Sequence, residues 1–358
     1  MVLSSEKIAI FAWNTAGVNG DFTEKFFRGK PSHASTRLQI VPAINAARQL
    51  GYSPRVISLA GDPGFLSHIG RPAVCVLSKM TSSLVEDQAH VVSNALALSA
   101  QMKARGVPVT LLYCDHHSIH STPVGGLYQD LLALADLVVC PSSKMAELAN
   151  PFRPNLSLAS VVEDVCETKR QPFMDLDQSS LCRLLWFGSD SNASFLANIL
   201  PGICARCERH SGFELTVMGR PATLAKVKKL SEQLSSKRSW SFRFVSWDTL
   251  RQPDQLETEL GMAHFVLIPS DPDDLWKAGV SHNRLVDGVQ GGCVVIASPM
   301  SSYRELSKVS LLGDDFPVMI DSAVDQYSRL IRKYDSLRDQ YLYRFMPHHI
   351  HSRWCEHF

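Results

Sequence analysis

Apolar residues in this chain fall in short continuous runs separated by longer amphipathic stretches. In the first half the runs occupy residues 8–13, 56–59, 73–77, 109–114 and 137–140. They lack the alternation of half-exposed strands, as strands buried on both faces of a parallel sheet do. Between them the spacing is helical: Leu38, Val41, Ile44, Ala47 and Leu50 share one face of a helix expected over 38–50, and a second is expected over 90–102. Gly51 and Gly106 stand where these helices should stop. Such alternation predicts strands joined by helical crossovers.

The rhythm pauses in the Pro- and Asn-containing stretch 150–155 and in the polar stretch 167–180, which are read as the linker. It resumes with runs at 184–187, 214–218, 242–246, 265–268, 294–297 and 318–320. The fold class is therefore α/β, with two doubly wound Rossmann-like domains at 1–165 and 166–340. A last helix over 323–341 places Tyr327, Leu330, Ile331, Tyr334, Leu337 and Tyr341 at helical spacing, and the tail 341–358 has the option of crossing back to the first domain. The halves share a rhythm and no sequence repeat.

A length of 358 residues suits roughly two domains, and 45% apolar with 20% charged residues is the make-up of a soluble globular protein. Lys and Arg number 36 against 35 Asp and Glu, so the net charge of +1 provides no broad field for nucleic acid, which is not an expected partner. Anion binding must be local. The first residues lack the features of a secretion signal, and no apolar run approaches the ~18 residues that span a bilayer. The expected location is the cytoplasm, with peripheral contact at the inner membrane face left open. Nine cysteines, an odd number set largely in apolar runs, fit a reducing compartment. Cys204 and Cys207 form one CxxC with His210 nearby, short of the ligands a structural zinc needs, so no metal is expected. The oligomeric state is not legible.

The candidate chemistry concentrates between residues 276 and 287, flanked by the runs 264–269 and 293–297. A helix expected to begin near Ser281 would aim its free N–H groups at an anion, with Lys277 and Arg284 converging on a phosphate. Asn283 and Asp287, four apart, would share a face on which Asp287 accepts sugar hydroxyls. The competing reading is surface cations and a surface carboxylate, or ion pairs with Asp271, Asp273 and Asp274. In the first half, Asp115 and His116 end an apolar run at the carboxyl edge where open sheets bind ligands; simple capping of the strand end is the alternative. The loop 14–20, with Gly17, Asn19 and Gly20, would let backbone approach a ligand, or is a plain turn. Residues 33–38 would start the next helix with Ser35 or Thr36 as its cap and Arg37 beside it, or serve as a cap alone.

The second half resembles the nucleotide-sugar glycosyltransferases of the GT-B fold, especially the large retaining group that builds polysaccharides and glycolipids. The likeness lies in Leu184-Leu185-Trp186-Phe187-Gly188, in Leu215-Thr216-Val217-Met218-Gly219, in Lys277 through Asp287 with the following Gln290–Ser298 stretch, and in Ser302-Tyr303-Arg304-Glu305-Leu306. In the first half Asp136-Leu137-Val138-Val139-Cys140-Pro141-Ser142 is similar to the strand before the interdomain crossing. The resemblance implies two domains facing across a cleft, with an acceptor side and a donor side. It further implies transfer of a hexosyl-type unit from a nucleoside diphosphate sugar, with no other cofactor, to a hydroxyl of a glycan, glycolipid or lipid-linked acceptor. Gly188, Lys277, Ser281, Asn283, Arg284 and Asp287 would hold the donor; Asp115 or His116 would face the reacting sugar. Two departures matter: the group often carries two glutamates eight apart, where this chain has Gly279 and Asp287, and the Arg and Lys expected after Gly188 are absent. A same-fold epimerase or phosphorylase, or a non-catalytic subunit of a glycan-assembly complex, stays open as an alternative.

Overall fold

The computed structural model describes residues 7–14, 20–29, 34–60, 71–80, 85–154, 156–176, 181–206, 212–234, 240–247 and 254–358, with 85–90 as backbone alone. The chain divides into two compact units. One comprises Met1–Val165, Leu275–Ser281 and Phe345–Phe358; the other comprises Cys166–Asp274 and His282–Arg344.

The first unit is built on β1 (Lys7–Trp13), β2 (Gly20–Asp21), β3 (Tyr52–Ser58), β4 (Val74–Leu77), β5 (Val109–Leu112), β6 (Leu137–Cys140) and β7 (Ser160–Val161). They form one sheet in the order β2-β3-β1-β4-β5-β6-β7, parallel except for β2 against β3. Both faces are covered, which is why the runs are continuous: Ile10 and Ala12 of β1 enter one core cluster, and Ala9 and Phe11 enter the other. The second cluster is closed by the helix Val41–Gln49 and by the C-terminal helix Pro347–Cys355 through Ile350 and Trp354. At the chain end Tyr52 donates from its hydroxyl to the Phe358 carbonyl at 2.8 Å.

The helix expected over 38–50 is compound, a π-helical turn Thr36–Ile40 running into Val41–Gln49. Ser35 is not its cap: it is already in the right-handed helical region and its side chain makes no capping bond. Helical backbone begins upstream at Ala34, so neither Ser35 nor Thr36 meets the exposed first-turn N–H groups that a cap serves.

The second unit carries β8 (Cys182–Phe187), β9 (Phe213–Gly219), β10 (Trp240–Ser246), β11 (Phe265–Ile268), β12 (Val294–Ala297) and β13 (Leu311–Leu312), all parallel, in the order β10-β9-β8-β11-β12-β13. The run 318–320 is not a strand. It lies in a helix, Phe316–Asp325, whose start is set by Pro317 and by Asp315 accepting the Val318 N–H at 3.0 Å. Three apolar residues are too few to reveal a period, and the cap decides. The helix expected over 323–341 is two helices parted at Gln326, the second being Tyr327–Leu342, with Tyr327 and Tyr334 buried.

Strand order reverses between β1 and β4 in the first sheet and between β8 and β11 in the second. Open α/β sheets bind ligands beyond the carboxyl ends of the strands at these points.

Candidate functional site

In the second unit β8 runs into Gly188, and the helix Asn283–Gln290 is the crossover from β11 to β12. A Cβ on Gly188 would lie 3.1 Å from Cζ2 of Trp186 and 3.4 Å from Nη1 of Arg284. The guanidinium therefore rests against bare glycine backbone at the edge where the order reverses. Its Nη1 is buried and makes no hydrogen bond. A desolvated cationic N–H group without an acceptor is costly, and a ligand oxygen would relieve that cost. Arg284 also reaches Tyr303: burial pushes the Tyr303 phenol pKa up, and the cation offsets part of that rise. Asn283, next to it, accepts the Arg284 N–H through its own Oδ1 at 2.8 Å.

The helix expected from Ser281 starts instead at Asn283. His282 precedes it, buried, with Nε2 at 2.7 Å from the Ser302 carbonyl and 2.6 Å from Oε1 of Glu305. Burial would raise the Glu305 carboxyl, but His282 and Arg344 outweigh it and hold the group below the usual range. These contacts fasten the helix start to the turn Ser301–Leu306 that carries Tyr303.

Asp287 is not an open surface acceptor. It is 3% exposed, and its Oδ1 takes the Glu167 N–H at 3.1 Å and the Cys166 thiol at 3.4 Å. Burial and then the charge of Glu167 push its pKa up to about 7, against the bonds from Cys166 and Glu167. The shorter acid thus ties the start of its own unit to the helix, and a ribose would find Oδ1 already engaged.

Ser281 belongs with the first unit, as does Lys277 in the one-turn helix Leu275–Lys277. The Ser281 hydroxyl donates to Oδ2 of Asp164 at 2.5 Å, so it is no helix cap. Oδ1 of the same buried carboxylate accepts from Gln39 at 2.7 Å, and Gln39 in turn accepts the Cys114 thiol at 2.5 Å. A buried carboxylate needs such donors, and Ser281 is one of them. Gly279 is fixed equally firmly. Its carbonyl accepts from the Ser142 hydroxyl at 2.9 Å, and a Cβ there would lie 2.8 Å from Cε and 2.9 Å from Cα of Met145. A side chain at 279 would force Met145 to shift, so packing disfavours the glutamate of the resembling group there.

At the switch point of the first sheet, the Asn14 N–H donates to the Lys79 carbonyl at 3.0 Å. Beyond β5, Oδ2 of Asp115 lies 3.6 Å from Nε2 of His117, whose ring stacks on Tyr128 at 4.9 Å and 20°. Burial would raise the Asp115 carboxyl, but the adjacent His117 ring and the Lys79 charge outweigh it and hold the pKa below its usual value. His116 is turned elsewhere. It is buried, its Nδ1 lies 2.8 Å from the Tyr113 hydroxyl, and burial followed by the neighbouring histidines holds its pKa down. The partner of Asp115 is therefore His117, selected by the tight turn His117–Ile119 that no sequence signal announced.

Gly20 sits in the antiparallel edge strand with φ +64 and opposes Ser58, a conformation that favours glycine. Arg37 is half-buried within the π-helical turn. Gly17, Asn19, His33, Cys207 and His210 lie outside the described residues. Among the described residues no group of three or more His, Cys, Asp or Glu could hold a metal ion, and no helix is long and apolar enough to cross a membrane. Asp164, Gln39 and Tyr303 were not singled out as site residues; each becomes notable only through partners distant in sequence.

No protein-family model and no curated protein matches the sequence. Solved structures do. Anabaena HepE in complex with UDP matches with a TM-score of 0.65 at 10% identity, covering 98% of this chain and 99% of that one; it is also solved with UDP-glucose. A glycosyltransferase from Rickettsia africae matches at 0.55 with 11% identity over 98% and 97% of the chains. The lipopolysaccharide outer core galactosyltransferase WaaB, in its apo form, matches at 0.56 with 13% identity over 97% and 98%. At these identities the likeness is one of fold, and the fold is that of GT-B glycosyltransferases.

Proposed function

We propose that this chain is a glycosyltransferase that takes a sugar from a UDP-linked donor and passes it to an acceptor hydroxyl with retention of configuration. The observation that carries the reading is the buried, unbonded Nη1 of Arg284 against Gly188 at the strand-order reversal. A diphosphate oxygen satisfies that N–H group, and the bare glycine lets the phosphate approach. The start of the helix Asn283–Gln290 adds its positive end. Lys277 is assigned the second charge on sequence grounds alone. HepE, of like fold, is solved with UDP and with UDP-glucose, which favours uridine as the nucleoside.

In the reaction the anomeric carbon–oxygen bond to the diphosphate breaks as the bond to the acceptor oxygen forms on the same face. The acceptor proton passes to the departing diphosphate oxygen. Arg284 stabilises the charge that develops there, where a preorganised cation is most effective. Asp115, held below its usual pKa beside His117, accepts a hydrogen bond from a sugar hydroxyl. Acceptors are glycans or lipid-linked sugars.

Calorimetry with UDP, GDP, ADP and CMP tests the site, and Arg284→Ala is expected to weaken UDP binding about 10- to 100-fold, as loss of a charged hydrogen bond does. Undiminished binding in that variant would sink the phosphate assignment. Donor consumed without acceptor would favour an epimerase, and no nucleotide binding at all would favour a non-catalytic subunit. Retention is read from the anomeric proton coupling of the product.

A further inference from the structure

Trp276 remains unused by this reading. The residue is 45% exposed although it belongs to a segment anchored at Gly279 by Ser142 and at Ser281 by Asp164. His117 and His120 meet its ring edge-on, with centroids 5.4 Å and 4.8 Å away at 63° and 75°. Nε2 of His120 is buried and makes no hydrogen bond; Nε2 of His117, a residue 6% exposed, has Asp115 at 3.6 Å, beyond hydrogen-bond reach. The first unit therefore presents an anchored, half-exposed indole beside imidazole nitrogens that need partners.

We propose that Trp276 is a stacking platform for a pyranose ring whose hydroxyls bond His120 and the Asp115–His117 pair. A pyranose offers C–H groups on its face and hydroxyls at its rim. An indole with polar groups at its edge matches both. The neighbouring Leu275 and Ile119, 62% and 39% exposed, extend the apolar face, so a lipid surface is the competing occupant. Acyl chains, however, would leave the His120 nitrogen unsatisfied. The inference rests on the sugar-transfer reading only in that the ring belongs to the donor or to the acceptor.

The test compares the full chain with Trp276→Phe and Trp276→Leu in two arms. Calorimetry measures UDP-glucose against UDP. Saturation-transfer NMR measures methyl β-D-glucopyranoside and methyl N-acetyl-β-D-glucosaminide in the presence of UDP. The Leu variant, apolar without an aromatic face, is expected to lose about tenfold in one arm, and the Phe variant to lose less, in line with aromatic stacking energies. A loss confined to UDP-glucose assigns the ring to the donor; a loss confined to the pyranosides assigns it to the acceptor. Equal sugar binding by wild type and the Leu variant overturns the platform, as does a wild type without sugar response in either arm. Binding to phosphatidylglycerol vesicles that the Leu variant abolishes, without any sugar response, makes it a lipid surface instead. Pyranoside binding by a wild type that binds no UDP would sink the nucleotide reading and leave the platform standing.

Discussion

Gly279→Ala should destabilise the protein, against the usual direction of that substitution. Gly279 has no left-handed φ, so no backbone strain attends the change. At such a position alanine normally stabilises by about 0.4–1 kcal/mol, because it restricts the unfolded chain. Here the new Cβ would meet Met145 at Cε, Cα and Cβ, at 2.8, 2.9 and 2.9 Å. Two of those atoms cannot swing away. Overpacking of this kind costs about 1–3 kcal/mol, and any shift of the segment strains the Ser142 bond to the Gly279 carbonyl, worth about a further 1 kcal/mol. The net loss of about 1–3 kcal/mol corresponds to roughly 2–10 °C in the melting transition of a domain this size. Gly126 supplies the control: it is exposed in the helix Pro123–Leu134, a Cβ there meets nothing within 4 Å, and alanine should stabilise. Differential scanning calorimetry of both variants decides the matter. Met145→Ala removes only the Cε contact, so it should rescue Gly279→Ala in part at most. A Gly279→Ala protein as stable as the wild type would refute the claim that packing disfavours a carboxylate at this position.

Asp287 should make stability fall as pH rises. Its folded pKa of about 7 exceeds the ordinary 3.8, so between those values the folded state holds the proton and the unfolded state has lost it. Urea unfolding of wild type should weaken across that window by on the order of 4 kcal/mol at most, while Asp287→Asn flattens the profile; an unchanged profile in the variant would remove the group from the account. Asp164→Ala leaves Gln39 and Ser281 facing a lost acceptor and should cost about 1–3 kcal/mol in the same assay, whereas Ser281→Ala should cost about 1 kcal/mol or less. Gly188→Ala sets a methyl group 3.1 Å from Trp186 and 3.4 Å from Arg284, and should weaken UDP binding with little change in melting temperature. Equal UDP affinity would place the nucleotide elsewhere.

The strands were legible because both faces of each sheet are covered, so β4, β5, β11 and β12 are buried at every position and, Thr110 apart, apolar, and they are bounded by polar stretches. The run 318–320 looked the same and is helix, since what distinguishes it is the Asp315 cap and Pro317 rather than its own residues. Gly188 and Arg284, 96 residues apart, were both legible as candidates, yet only the parallel order β8-β11 brings glycine backbone against guanidinium. His116 and His117 could not be told apart by composition. A single tight turn sends one toward Tyr113 and the other toward Asp115.

Sequence by itself determined the α/β class, the succession of strands and crossovers, and the concentration of cationic and polar groups between residues 276 and 287, because periodicity and side-chain chemistry are local properties. Tertiary structure alone decided how that stretch is used. It assigns Leu275–Ser281 to one compact unit and His282–Arg344 to the other, closes position 279 with Met145, commits Ser281 to Asp164 and buries Asp287 on Glu167. Each of those outcomes depends on a partner many positions away along the chain, and the energy of burying or satisfying a polar group is set by what the fold places beside it.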